Sequence, residues 1–87
     1  KAMYKIVIVG AGQLGSRHLQ GVLKSNLQAS IEVIDLSTDA LENAKKRANE
    51  VSYDKSTKSI LYLTNLEDAS KNIDLCIIAS TAGVRYT

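Results

Sequence analysis

Three glycines, in the turn Gly10-Ala11-Gly12-Gln13-Leu14-Gly15, carry the chemistry this sequence advertises most clearly. They follow the apolar run Ile6-Val7-Ile8-Val9 and run into a segment of helical period. In that context each glycine has its own task. Gly10 permits a tight turn out of a strand, Gly12 lets a phosphate approach the backbone, and Gly15 lets a helix pack closely on a sheet. The first N–H groups of that helix, those of Gln13 and Leu14, then point at the anion, and the helix dipole adds to the attraction. A glycine-rich turn with no ligand would carry the same letters; the strand before it and the helix after it argue for the pyrophosphate of a dinucleotide.

Asp35 supplies the second half of that pattern. It ends a second apolar run, 20 residues beyond Gly15, where a carboxylate can accept hydrogen bonds from an adenosine ribose. Its charge would repel the 2′-phosphate of NADP, so NAD is the expected cofactor and NADP the lesser alternative, with Arg17 a nearby cation that softens the preference. The competing role for Asp35 is a turn or helix-capping aspartate ahead of Ser37-Thr38. Ser80 and Thr81 follow a later strand, and small hydroxyl residues there either touch the nicotinamide ribose or simply end the strand.

The remaining reactive side chains read as structural. His18, the only histidine, is expected to pack on the stripe of Leu14 and Val22 near the turn rather than to act as a base. Cys76 lies in Leu75-Cys76-Ile77-Ile78-Ala79 and is expected to be a buried core thiol, since an apolar strand opposes the thiolate. No catalytic residue is assigned, and no second histidine or carboxylate cluster suggests a metal. Lys45-Lys46-Arg47 reads as a solvated helix face rather than a nucleic-acid patch.

These residues need a scaffold, and the alternation of short apolar runs with helical segments describes one. Strands are expected at Lys5–Val9, Ile31–Ile34, Ile60–Leu63 and Asp74–Ala79. A first helix carries Leu14, His18, Leu19, Val22 and Leu23, ended by a left-handed Asn26. A second spans Thr38–Asn49, with Leu41, Ala44, Ala48 and Val51 on one face and a capping box from Asp39 and Glu42. Ser52–Ser59 reads as a loop, and Asn65 as the cap of a short helix over Leu66–Lys71. The order β-α-β-α-β-α-β implies an α/β fold: a partial Rossmann fold whose four-stranded parallel sheet has order 3-2-1-4 with right-handed crossover helices.

With 87 residues, 45% hydrophobic and 23% charged, the chain has room for one small domain. A net charge of +2 spread along the chain gives no reason to expect a nucleic-acid or membrane partner. No apolar run approaches the roughly 18 residues of a membrane span. A single cysteine cannot form an internal disulfide, so a cytoplasmic location is the default. The strand at Asp74–Ala79 is expected to leave an open edge, and Leu61, Leu63, Leu75 or Ile77 partly exposed, which favours self-association of the isolated chain.

The segment Ile8-Val9-Gly10-Ala11-Gly12-Gln13-Leu14-Gly15-Ser16-Arg17-His18 resembles the opening of the Gfo/Idh/MocA group of NAD(P)-dependent oxidoreductases. Ile73-Asp74-Leu75-Cys76-Ile77-Ile78-Ala79-Ser80-Thr81 is similar to that group's fourth strand, with Ala82 where proline is usual and Tyr86 near the usual histidine. The resemblance implies that residues 1–87 form the N-terminal part of a dinucleotide-binding domain. It also implies that the catalytic lysine and the substrate domain lie beyond Thr87, so that this chain alone is inactive. The implied activity of the parent protein is hydride transfer to or from a sugar or related polyol carbon. A non-catalytic dinucleotide sensor on the same fold is the alternative, and an S-adenosylmethionine methyltransferase fits the glycine spacing less well.

Overall fold

The computed structural model describes residues 3–79. Four strands, β1 (Tyr4–Val9), β2 (Ala29–Ile34), β3 (Lys58–Leu63) and β4 (Leu75–Ile78), form one sheet of order β3-β2-β1-β4. Every pairing is parallel. Helices α1 (Gln13–Lys24) and α2 (Thr38–Asn49) provide the first two crossovers. The third holds only a single 3-10 turn at Leu66–Asp68. This is the partial Rossmann-like α/β fold expected from the alternation of periods.

Alternation along the strands assigns the two sheet faces. Ile6 and Ile8 of β1 and Ile31 and Val33 of β2 join Leu19 and Leu23 of α1 and Leu41, Ala44 and Ala48 of α2 in one buried cluster. The opposite face buries Val7, Ile34 and, unexpectedly, the carboxylate of Glu32. Glu32 is 7% exposed and accepts hydrogen bonds from the Ser70 N–H at 2.8 Å and from the Ser70 hydroxyl. That contact ties the long β3–β4 connection to the second face, which no full helix covers among the described residues. A carboxylate is costly to bury without donors, so Ser70 is what makes Glu32 tolerable mid-strand.

The strands run beyond their apolar segments because parallel pairing recruits polar neighbours. Ala29 and Ser30 stand beside Tyr4 and Lys5, and Lys58 and Ser59 beside Ala29 and Ser30. β3 therefore begins inside the segment expected to be loop. Lys58 is buried there, its ammonium donating to the Ser25 carbonyl just past the end of α1 at 2.9 Å. A cation at a helix C-terminus complements the helix dipole.

Several local expectations are corrected. α1 is not closed by a left-handed Asn26, since no described non-glycine residue has positive φ. Its end is instead held by Ser25, whose N–H and hydroxyl both donate to the Val22 carbonyl. α2 begins where expected, but its cap is Ser37, whose Oγ accepts from the Ala40 N–H at 3.2 Å, and not Asp39. Asn65 does cap the next turn, accepting from the Glu67 N–H. That turn stops at Asp68, because Ser70 is drawn to Glu32.

The inward stripe of α1 is Gly15, Ser16, Leu19 and Leu23, while Leu14 and His18 are exposed. Gly15 packs directly on the preceding turn and so fixes the rotation of the helix. Cys76 is exposed as well, not buried. It is paired with Val7 on the second face of an edge strand, where a strand pattern alone suggested full burial. Leu61, Leu75 and Ile78 are about half exposed or more, with Leu63 and Ile77 half-buried. By register, Leu75 and Ile77 lie on the helix face and Leu61 and Ile78 on the other, so the exposed apolar residues of the outer strands are divided between the two faces.

Candidate functional site

The C-terminal ends of β1, β2 and β4 converge on one spot, and the candidate residues from the glycine turn and from Asp35 gather there. Strand order reverses between β1 and β4, since β1 has β2 on one side and β4 on the other. In open α/β sheets such a switch point forms the ligand crevice.

The turn out of β1 depends on Gly10, whose φ of 104° is accessible to glycine and strained for other residues. Its N–H continues the sheet by donating to the Ile34 carbonyl at 2.7 Å. Gly15 then sits against that turn. A Cβ at 15 would lie 1.8 Å from the Gly10 carbonyl oxygen and 3.7 Å from the Ala79 methyl. Ala79, at the end of β4, donates its N–H to the Val9 carbonyl and is buried. The glycine at 15 therefore serves helix–turn packing.

Gly12 differs. It is the residue before α1, and a Cβ there would meet nothing within 4 Å. No side chain caps this helix start and no acid lies in its first turn. The contrast with α2 is chemical: there Ser37 caps the start and Asp39 supplies a negative charge. The first N–H groups of a helix have no partner within the helix. Those of Gln13 and Leu14 follow Gly12, where a side chain would find open space. This cradle fits a diphosphate, because an anion there would gain both donors and dipole.

Asp35 completes the spot from β2. Because Val9 and Ile34 are paired, the residue after Ile34 stands beside the glycine turn. One carboxylate oxygen accepts from the Ala11 N–H at 2.8 Å and the other from the Ser37 N–H at 2.9 Å. Asp35 therefore anchors a turn ahead of α2 and also stands beside the glycine turn. The contact to Ala11 had no signature in the sequence, since its donor is a backbone group 24 residues away. Ser37-Thr38-Asp39 did contain the cap, in the serine three residues before Ala40.

His18 is exposed on α1 rather than packed beside the turn. Ser80 and Thr81 lie outside the described residues. Among the described residues no three His, Cys, Asp or Glu side chains gather as a metal site would need, and no helix is long and apolar enough to cross a membrane.

A family described as "Oxidoreductase family, NAD-binding Rossmann fold" matches residues 4–87. The chain belongs to the Gfo/Idh/MocA oxidoreductase family. A curated member of the similar proteins, L-lactate dehydrogenase 2 of Clostridium acetobutylicum, is 36% identical over 83 residues, covering 91% of this chain and 24% of the relative. The chain thus spans about a quarter of the length of that relative. No solved structure matches it closely enough to count. The family description names NAD binding on a Rossmann fold.

Proposed function

We propose that the turn of Gly10, Gly12, Gln13, Leu14 and Gly15 holds the pyrophosphate of NAD, Gly10 and Gly15 by shaping it and Gly12, Gln13 and Leu14 by meeting the phosphates, that Asp35 holds the adenosine ribose, and that Ser80 and Thr81 border the nicotinamide ribose. The observation that carries this reading is the uncapped start of α1 beside Gly12, where a Cβ would find only open space. The free lone pairs of Asp35 suit the hydroxyls of an unphosphorylated ribose and oppose a 2′-phosphate, which favours NAD over NADP.

In this reading the chain is the N-terminal part of the dinucleotide domain of a cytoplasmic oxidoreductase. The bound nicotinamide supplies hydride chemistry, while these residues bind and orient the dinucleotide. Acid–base groups and the substrate domain belong to other parts of the parent protein, and residues 1–87 alone are inactive. The substrate is a carbon bearing a hydroxyl, in a sugar or related polyol. The name of the lactate dehydrogenase relative supports a hydroxyl-bearing carbon and adds a small 2-hydroxy acid as a second substrate class. The exposed Leu61, Leu75 and Ile78 favour self-association of the isolated chain. Light scattering that shows a monomer at all micromolar concentrations would remove that part of the reading.

Titration calorimetry of the intact protein with NAD and NADP tests the site. NAD is expected to bind more tightly, and Gly12→Val to abolish binding of both with unchanged circular dichroism. Equal affinity of Gly12→Val and the parent would mean that the ligand lies elsewhere.

A further inference from the structure

We infer that Asp35 is a positioning residue that holds the glycine turn in shape before any cofactor arrives, so that removing its charge cannot convert the site to NADP. The inference rests on the reading of this turn as the dinucleotide cradle.

The peptide groups of the turn show why. Gly10 makes the last sheet bond of β1, to the Ile34 carbonyl, and helical bonding begins with the Ser16 N–H donating to the Gly12 carbonyl. Ala11 falls between these two ladders. It is 1% exposed, so water cannot readily serve its polar groups. Its N–H donates to the Asp35 carboxylate, and its carbonyl accepts from the hydroxyl of buried Ser16 at 3.4 Å. The residue between the first two glycines is therefore held by side chains alone. A buried backbone N–H deprived of its acceptor is costly.

The second carboxylate oxygen accepts from the Ser37 N–H, at the cap of α2. Asp35 thus joins the end of β2, the turn after β1 and the start of α2. An ionised carboxylate has about four acceptor positions, and two are used internally. The remaining two are those available to ribose hydroxyls. A neutral replacement would relieve repulsion of a 2′-phosphate, yet would also release Ala11 and with it the cradle for the pyrophosphate that both cofactors share.

The test is hydrogen exchange, followed by mass spectrometry, on the intact protein without cofactor, together with NAD and NADP titrations. In Asp35→Ala, exchange across residues 10–15 is expected to rise about tenfold or more, the scale of a lost buried hydrogen bond, while residues 4–9 and 29–34 stay protected. Affinity for both cofactors is expected to fall, for NAD by more than for NADP because a ribose acceptor is lost with the turn. Asp35→Asn keeps one acceptor oxygen and is expected to restore part of the protection. Should Asp35→Ala expose the strands as well, Asp35→Asn alone carries the comparison. Unchanged exchange across residues 10–15 in both variants, or tighter NADP binding by Asp35→Ala than by the parent, would overturn the inference. Because exchange is read without ligand, a parent that bound neither cofactor would sink the cradle reading while leaving the anchor tested.

Discussion

Three glycines of one helix and its approach are predicted to respond to the same added methyl in three different ways. Gly15→Ala would bring a Cβ to 1.8 Å from the Gly10 carbonyl oxygen and 2.8 Å from its carbon. Real Cβ atoms stay beyond 3.0 Å, so the methyl and the carbonyl must part by more than 1 Å. The obstacle is backbone at a turn with φ 104°, itself held to Ile34, and no side chain can swing aside. Relief must come from α1, whose Leu19 and Leu23 are locked in the core. Overpacking of side chains costs about 1–3 kcal/mol, with larger values where the backbone must shift; this case belongs at or above the upper end. A chain of this size has a net stability of roughly 4–13 kcal/mol, so Gly15→Ala consumes a large share of it. Gly21→Ala adds its methyl to an exposed position inside α1 with nothing within 4 Å, and should stabilise by about 0.5–1 kcal/mol. Gly12→Ala meets no clash either and should stay within about 1 kcal/mol of the parent, the scale of an N-cap change, while weakening dinucleotide binding. Urea unfolding of the three variants reads the order directly. If Gly15→Ala proved as stable as Gly21→Ala, α1 could not be packed on the Gly10 carbonyl, and the account of the turn would fail.

Other perturbations probe the parts that support the site. Ser70→Ala should cost about 1–3 kcal/mol, as expected for losing one donor to a buried carboxylate, and an unchanged urea midpoint would show that Glu32 does not depend on it. Tyr62 is half-buried, and burial followed by the nearby Tyr53 phenol pushes its pKa above the ordinary value of 10.0. As pH rises past that value, the unfolded chain surrenders its phenolic proton before the folded one does. The unfolded state then binds fewer protons, and stability must fall with rising pH through the folded pKa. Urea midpoints measured between about pH 9 and 11 should fall less steeply in Tyr62→Phe, and parallel slopes would contradict the shift. Cys76 is exposed in the fold and should react with a thiol reagent without denaturant; reaction only after unfolding would restore the buried assignment.

Hydrophobic period and glycine spacing were enough to read the strand order and the parallel sheet of order 3-2-1-4, and they marked the glycine turn and Asp35, which the fold brings together. These features are local. A β-branched run makes a strand wherever it pairs, and glycines at 10 and 15 are required by turn geometry and close packing that the spacing itself encodes. The family likeness extends along the same residues.

What the sequence could not supply were the facts that depend on partners distant along the chain. The rotation of α1, which exposes Leu14 and His18, follows from the contact of Gly15 with Gly10 and not from the apolar stripe. Cys76 is exposed because β4 lies at an edge of the sheet, a position that no composition of the strand reveals. Glu32 is an acid within an apolar strand, and its donors come from Ser70, 38 positions later. The double hold of Asp35 on Ala11 and Ser37 has the same origin. Side-chain type announces a possible donor or acceptor, but only the pairing of Val9 with Ile34 brings that carboxylate beside a buried N–H from another turn, and so decides that one residue both shapes the cradle and borders it.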